Sequence, residues 1–423
     1  MNRRWIVLTL IFIGIVINYI DRGNLSIAAP SIMRDFAIPP AMMGLVLSTF
    51  FWTYALFQIP SGALVDRFGI RRAYAAGFLV WSLASAAIAF SRSTGDIIAM
   101  RLVLGLAESI APLASLSFIR RNFAGKDQGL PTSIYIAGQN IGPALGALVG
   151  AILLDQFGWR MMFAITGLGA LIWLPGWLIA APADGPQEAP PVEPVEVEPP
   201  AAGGWIWRAV LAHPAFWAMS FCILLAAYYW YFVLTWVPSY LILSRGFSTL
   251  GMGRVVSTAM FTMAIVNVVA GRAGDFLAAR IGVLRARVWF GAVGYVGTAV
   301  ILLLLVIPDR AWALPILTFS LCATGIGNSN FWTIAQYVPP PNLVGRTIGY
   351  LNTVSQIAGV AAPVVTGYLL GPHREFGPAI FVAGICPVLA AVCLLAVGQS
   401  GLEGMKALLA GDGHTAPEAG QGI

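Results

Sequence analysis

Long apolar stretches recur along the chain, separated by short clusters of charge, glycine and proline, and none of them alternates with the two-residue period of a strand. They predict spans near residues 5–29, 42–65, 72–91, 95–119, 129–154 and 159–181, then 214–243, 249–274, 286–307, 312–337, 346–370 and 376–398. Each is close to or above the roughly 20 residues a helix needs to cross hydrocarbon. An unpaired backbone amide costs several kcal/mol there, so unalternating runs of this length point to helices and not to barrel strands.

The pattern breaks once. Residues 182–204 hold seven prolines and five acids with no Lys or Arg, a composition that cannot bury a core. The expected organisation is a six-helix bundle over 1–181, a linker over 182–213 that ends in a short interfacial helix from Trp205 to His213, a second six-helix bundle over 214–398, and a flexible tail over 399–423. The fold class is all-α integral membrane, with twelve transmembrane helices in two pseudo-symmetric bundles.

Composition agrees. The 423 residues are 58% hydrophobic and 10% charged, against about 25% charged in soluble domains, and mean hydropathy is +0.81. The net charge of +6 comes almost wholly from arginine, the only lysines being Lys126 and Lys406. These bases sit in short loops, so they read as a topological signal and not as a nucleic-acid surface. With the N-terminus in the cytoplasm, 15 Lys/Arg fall on the inner side and 7 on the outer, which predicts a multi-pass cell-membrane protein with both termini cytoplasmic. The first apolar run lacks a small-residue cleavage site and reads as a retained span. Cys222, Cys322, Cys386 and Cys393 lie in spans without ligand spacing, and His213, His373 and His414 lie outside them. No metal, cofactor or catalytic constellation is therefore expected.

The halves repeat. Gly62, Asp66, Gly69 and Arg71 after span 2 correspond to Gly271, Asp275, Arg280 and Gly282 after span 8; Gly142-Pro143 corresponds to Ala362-Pro363, and Phe157-Gly158 to Phe376-Gly377. Such duplication is a signature of secondary transporters.

Four ionisable residues lie well inside spans: Asp21 and Arg22 in span 1, Arg101 and Glu108 in span 4. A charge at that depth costs a few kcal/mol, so these residues should face the interior. Arg101 and Glu108, seven apart, share a helical face two turns apart, whereas Asp21 and Arg22 point about 100° apart and must reach different partners. The plainer reading is two interhelical salt bridges. The functional one is a carrier for a carboxylate: arginine offers a planar, permanently charged fork, and a carboxyl whose proton occupancy responds to that arginine would couple proton to cargo. Polar and aromatic side chains placed to line the same cavity are Tyr19, Tyr54, Gln139, Asn140, Tyr231, Trp236, Asn328, Asn330, Trp332, Asn352 and Gln356, although any of them can equally bond helix to helix.

Gly62, Asp66, Arg67, Gly69, Arg71 and Arg72, together with Arg101, Gly105 and Glu108, resemble the loop and span 4 motifs of the major facilitator superfamily. That resemblance implies two bundles rocking about a central cavity, with Asp66, Arg67, Arg71, Asp275 and Arg280 in gating positions. Asn18 to Leu25, Tyr54 with Gln58-Ile59-Pro60, and Tyr231 with Thr235-Trp236, Pro238 and Tyr240-Leu241 resemble the anion:cation symporter family, which includes bacterial sugar-acid transporters and the animal sialic acid and vesicular glutamate carriers. The implied roles are substrate carboxylate at Arg22, proton coupling at Asp21 and Glu108, pairing or gating by Arg101, and cavity lining by Tyr19, Tyr54 and Gln139. A weaker likeness of Gly138, Gly142-Pro143 and Gly146 to drug/proton antiporters is set aside, because a cavity for cations should not hold two arginines.

The expectation is proton-coupled uptake of a small organic anion, a sugar acid or other carboxylate, by a monomer in the lipid bilayer. The alternative is an organic-anion facilitator, exchanger or exporter without proton symport. A non-transporting receptor is disfavoured by the lack of any sizeable soluble domain.

Overall fold

In the computed structural model, which describes residues 3–123, 127–183, 211–340 and 343–410, the apolar runs are helices throughout. They are α1 (Arg3–Asp35), α2 (Pro40–Phe68), α3 (Ile70–Phe90), α4 (Thr94–Asn122), α5 (129–157), α6 (159–180), α7 (Pro214–Leu243), α8 (Thr249–Ile281), α9 (Val283–Leu305), α10 (Arg310–Tyr337), α11 (Val344–Leu370) and α12 (377–397). Lys126, His414 and the linker residues 184–210 lie outside the described residues.

Helix runs from residue 129 to 180 apart from a short turn at Leu171-Ile172 and a backbone break at Gly158, whose φ of 76° is open to glycine but costly for other residues. The chain reverses there. Gly138 and Gly150 lie against Ile15 and Ile27, so α5 runs parallel to α1. Trp159 then bonds Asp35, Asn24 bonds Thr166, and Trp173 bonds Leu10 O, so α6 returns antiparallel to it. The 52 residues are thus two crossings, as the sequence pattern predicts.

The first bundle is pinned by aromatic packing. Phe78 stacks on Trp173 with ring centres 4.1 Å apart, and Trp173 stacks on Trp177 at 5.2 Å. In the second bundle α7 packs on α11 and α12, and α10 on α8 and α9. The bundles meet along α2 with α11 and α5 with α8. At the face holding the C-terminal end of α1 this seam is tight: a Cβ on Gly44 would overlap the Pro363 carbonyl, and one on Gly253 would come within 2.8 Å of Ala147 O. At the opposite face, Gly129, Gly271, Gly345 and Gly349 would meet nothing within 4 Å. The halves thus meet backbone to backbone at the first face, beneath a vestibule lined by Ser31, Leu243 and Arg374, and make no such glycine contact at the second, splayed face.

The end of the chain differs from expectation. Part of the segment expected as a flexible tail is helix α13 (399–410), set off from α12 by the backbone break at Gly398. Leu402 and Met405 are buried against the second bundle beside Phe216, Leu351 and Val338, and the Lys406 ammonium lies 3.8 Å from the Tyr337 ring centre. Its glycines suggested mobility, but the apolar positions 402, 405 and 409 make one stripe that has a surface to cover. Residues 411–423 lie outside the described residues.

Candidate functional site

Two charged helices build the site. A capping box starts α4: Ser93 Oγ accepts from the Asp96 amide at 3.2 Å and the Asp96 carboxylate accepts from the Ser93 amide at 2.9 Å. From this fixed end, Arg101 and Glu108 project on one face. Gly105 lies between them. Because a Cβ there would overlap Phe50 O, glycine lets α2 approach α4 closely, and Thr53 Oγ1 donates to Leu102 O at 2.7 Å. The approach seats Phe50 between two guanidinium groups, Arg22 at 4.7 Å and Arg101 at 4.9 Å from the ring centre.

Arg22 donates to Glu108 Oε2 at 3.0 Å and to Asn18 Oδ1 at 3.2 Å. Its side chain is 11% exposed and that of Glu108 fully buried. Tyr19 and Tyr54 each present a ring 4.7 Å from the same guanidinium, so Arg22 sits in an aromatic box closed by Phe50. Arg101 is 2% exposed, and its Nε and Nη1 have no hydrogen-bond partner. Buried guanidinium nitrogens are rarely left this way without a ligand or solvent to meet them. Asp21 points elsewhere, accepting from Ser85 Oγ on α3 at 3.0 Å. Adjacent positions on α1 thus reach different partners, as their angular offset requires: Arg22 meets span 4 and Asp21 meets span 3. The partner of Glu108 is Arg22 and not Arg101, although all three face one region.

A cavity opens in front of these arginines, between the bundles. Tyr19, Arg22, Ser26 and Arg101 form its polar wall, and Thr235 faces them from α7. The rest is apolar, including Ile27, Leu47, Phe51, Val233, Val256 and Met260. No ionisable side chain of the second bundle lines it among the described residues.

Other expected lining residues are engaged with one another. Tyr231 Oη donates to Gln356 Oε1 at 2.7 Å, and its ring meets Phe51 edge-on at 4.7 Å. Asn352 reaches Gln58 across the bundle seam at 3.4 Å, Gln139 donates to Tyr135 at 3.1 Å, and Trp236 donates to Pro363 O at 3.0 Å. Asn328 accepts from Tyr295 at 3.0 Å, and Asn330 accepts from Arg287 at 3.2 Å. These contacts set Asn328 and Asn330 against α9 and away from Arg22 and Arg101. Trp332 packs edge-on with Phe331 at 5.6 Å.

At the splayed face, Asp66 lies 3.5 Å from Arg121, Arg67 lies over Phe68, and Arg71 donates to Leu178 O while its own carbonyl accepts from Trp177. Asp275 pairs with Arg287, whereas Arg280 stacks over Phe276 at 4.1 Å. Arg287 was missed as a site residue because it opens an apolar run and reads as a loop base. The signal was its place in the first turn of a span, where a cation near the N-terminus opposes the helix dipole and needs a partner.

A family profile described as Major Facilitator Superfamily matches residues 11–363. The chain is 27% identical over 407 residues to the hexuronate transporter of Bacillus subtilis, covering 92% of this chain and 93% of that protein. It is 27% identical to a probable galactarate/D-glucarate transporter of Escherichia coli, covering 93% of each. Among solved structures, a bacterial homologue of the human lysosomal transporter Spinster superposes with a TM-score of 0.75 at 18% identity, over 99% of each chain.

Proposed function

The chain belongs to the Major Facilitator Superfamily, and from that premise we propose that it carries a small organic anion, a sugar acid or other carboxylate, inward across the cell membrane together with a proton. The observation that carries this reading is the pair of guanidinium groups on one cavity wall, Arg22 paired with Glu108 and each arginine keeping at least one buried nitrogen without a partner. The names of the relatives, transporters of hexuronate and of galactarate or D-glucarate, support the same cargo class.

Charge accounting gives the coupling. Asp21, Arg22, Arg101 and Glu108 balance when all are ionised, and an uncompensated ion in such a site costs several kcal/mol. A carboxylate entering at the arginines adds one negative charge. When it takes over the Arg22 fork, Glu108 loses its cation, and a proton on Glu108 restores the balance. Proton and cargo then favour each other by the same free energy. In the proposed cycle the splayed face opens to the cytoplasm. The Gly44–Pro363 seam closes the outer side and parts when the bundles rock, with Asp66, Arg67, Arg71, Asp275 and Arg280 as gating residues at the opposite face.

The test is uptake into proteoliposomes. An inward proton gradient should concentrate a carried carboxylate above its outside level, and a protonophore should abolish the accumulation. Flux that persists as one-for-one trans-stimulated exchange, with no response to the gradient, would instead establish the facilitator or exchanger alternative.

A further inference from the structure

We propose that the cargo is a monocarboxylate with an apolar body, such as an aryl or branched alkyl acid, and not a polyhydroxylated or dicarboxylic sugar acid; this deepens the anion-carrier reading and rests on it. Charge alone argues for one carboxylate. Both guanidinium groups are on the first bundle, flanking the same Phe50 ring, and the facing wall from α7 and α8 has no cation among the described residues. A second carboxylate held against that wall would be buried without a partner.

Hydrogen bonding argues against a chain of hydroxyls. The facing wall near the arginines is built of Val233, Val256 and Met260, with Ile27, Leu47 and Phe51 beside them. The two small hydroxyls on the lining are already donating, Ser26 to Gly23 O at 2.8 Å and Thr235 to Tyr231 O at 2.6 Å. Neutral side chains that a sugar could use bond each other instead, Tyr231 with Gln356 and Gln58 with Asn352. A cargo hydroxyl placed here would find only the Ser26 and Thr235 oxygens as acceptors and the Tyr19 hydroxyl beside Arg22, too few for a chain of hydroxyls, whereas a ring or a methyl group would gain contact with the apolar wall. Relatives at 27% identity do not fix six lining side chains, so their names and this wall are compatible.

The experiment is a binding and uptake panel on the purified full-length protein, using phenylacetate, D-glucuronate and galactarate, with thermal shift and proteoliposome flux as readouts. Phenylacetate should bind at least tenfold more tightly than D-glucuronate, and galactarate should not compete with it. The conservative Val233→Thr variant, which keeps side-chain volume, should lower the phenylacetate to D-glucuronate preference severalfold, and so should Met260→Gln. D-Glucuronate or galactarate binding as tightly as phenylacetate would overturn the apolar-body assignment while leaving the anion carrier standing. Failure of all three acids to bind or move would overturn both.

Discussion

Replacing Arg22 by alanine removes one guanidinium and also strands the fully buried Glu108 carboxylate that now meets it at 3.0 Å. Breaking a buried pair by removing one partner costs about 3–5 kcal/mol, and the lost contacts with the Tyr19, Phe50 and Tyr54 rings add about 0.5–2 kcal/mol. R22A should therefore unfold at a clearly lower temperature in detergent. The double variant R22A/E108Q removes the stranded charge as well and should recover most of that loss. Affinity should behave differently. A charge-assisted hydrogen bond to the cargo is worth about 1.5–3 kcal/mol, or roughly 10- to 150-fold in Kd at 1.4 kcal/mol per tenfold, and no change at Glu108 restores it. Titrating phenylacetate and D-glucuronate against intrinsic tryptophan fluorescence separates the two effects: both variants should bind weakly, but only the single one should be fragile. Wild-type affinity in the stable double variant would refute carboxylate binding at Arg22. Equal fragility in both would refute the ion pair as the source of the stability loss.

E108Q alone keeps a hydrogen-bonding side chain beside Arg22 but cannot change charge; counterflow of bound acid should persist while accumulation driven by a proton gradient disappears, as measured in paired proteoliposome assays. G44A places a methyl group against the Pro363 carbonyl at the tight seam, and overpacking of this kind costs about 1–3 kcal/mol. It should open that face, read as faster labelling of a cysteine introduced at Ser26, on the central cavity behind the seam, by a membrane-impermeant thiol reagent added at that face, while G271A, with nothing within 4 Å, should leave labelling unchanged.

The spans were legible because their signal is local: twenty apolar residues in a row exclude other structures whatever surrounds them. Their ends were less so. Span 1 was expected to stop at residue 29, yet the helix runs to Asp35, since helical hydrogen bonds do not end where hydrocarbon does and Asp35 has Trp159 to bond. The Phe157-Gly158 and Phe376-Gly377 repeat does not carry over to the backbone: Gly158 takes a positive φ, Gly377 is an ordinary helical residue, and the positive-φ residues before α12 are Gly371 and Arg374. At the site, the depth of Asp21, Arg22, Arg101 and Glu108 was readable one helix at a time. Which arginine meets Glu108 was not, because that depends on how α1 and α4 lie across each other. The same limit applies to Asn328 and Asn330, whose polarity suggested a cavity and whose partners Tyr295 and Arg287 come from the neighbouring helix.

All four ionisable side chains at the centre ride on α1 and α4, and the wall opposite is electrically blank among the described residues. When one bundle tilts against the other in the proposed cycle, those four side chains move as a rigid set, and none of them forms a salt link across the seam among the described residues. Membrane voltage then acts only on what is loaded, and one carboxylate travelling with one proton presents it with nothing to push.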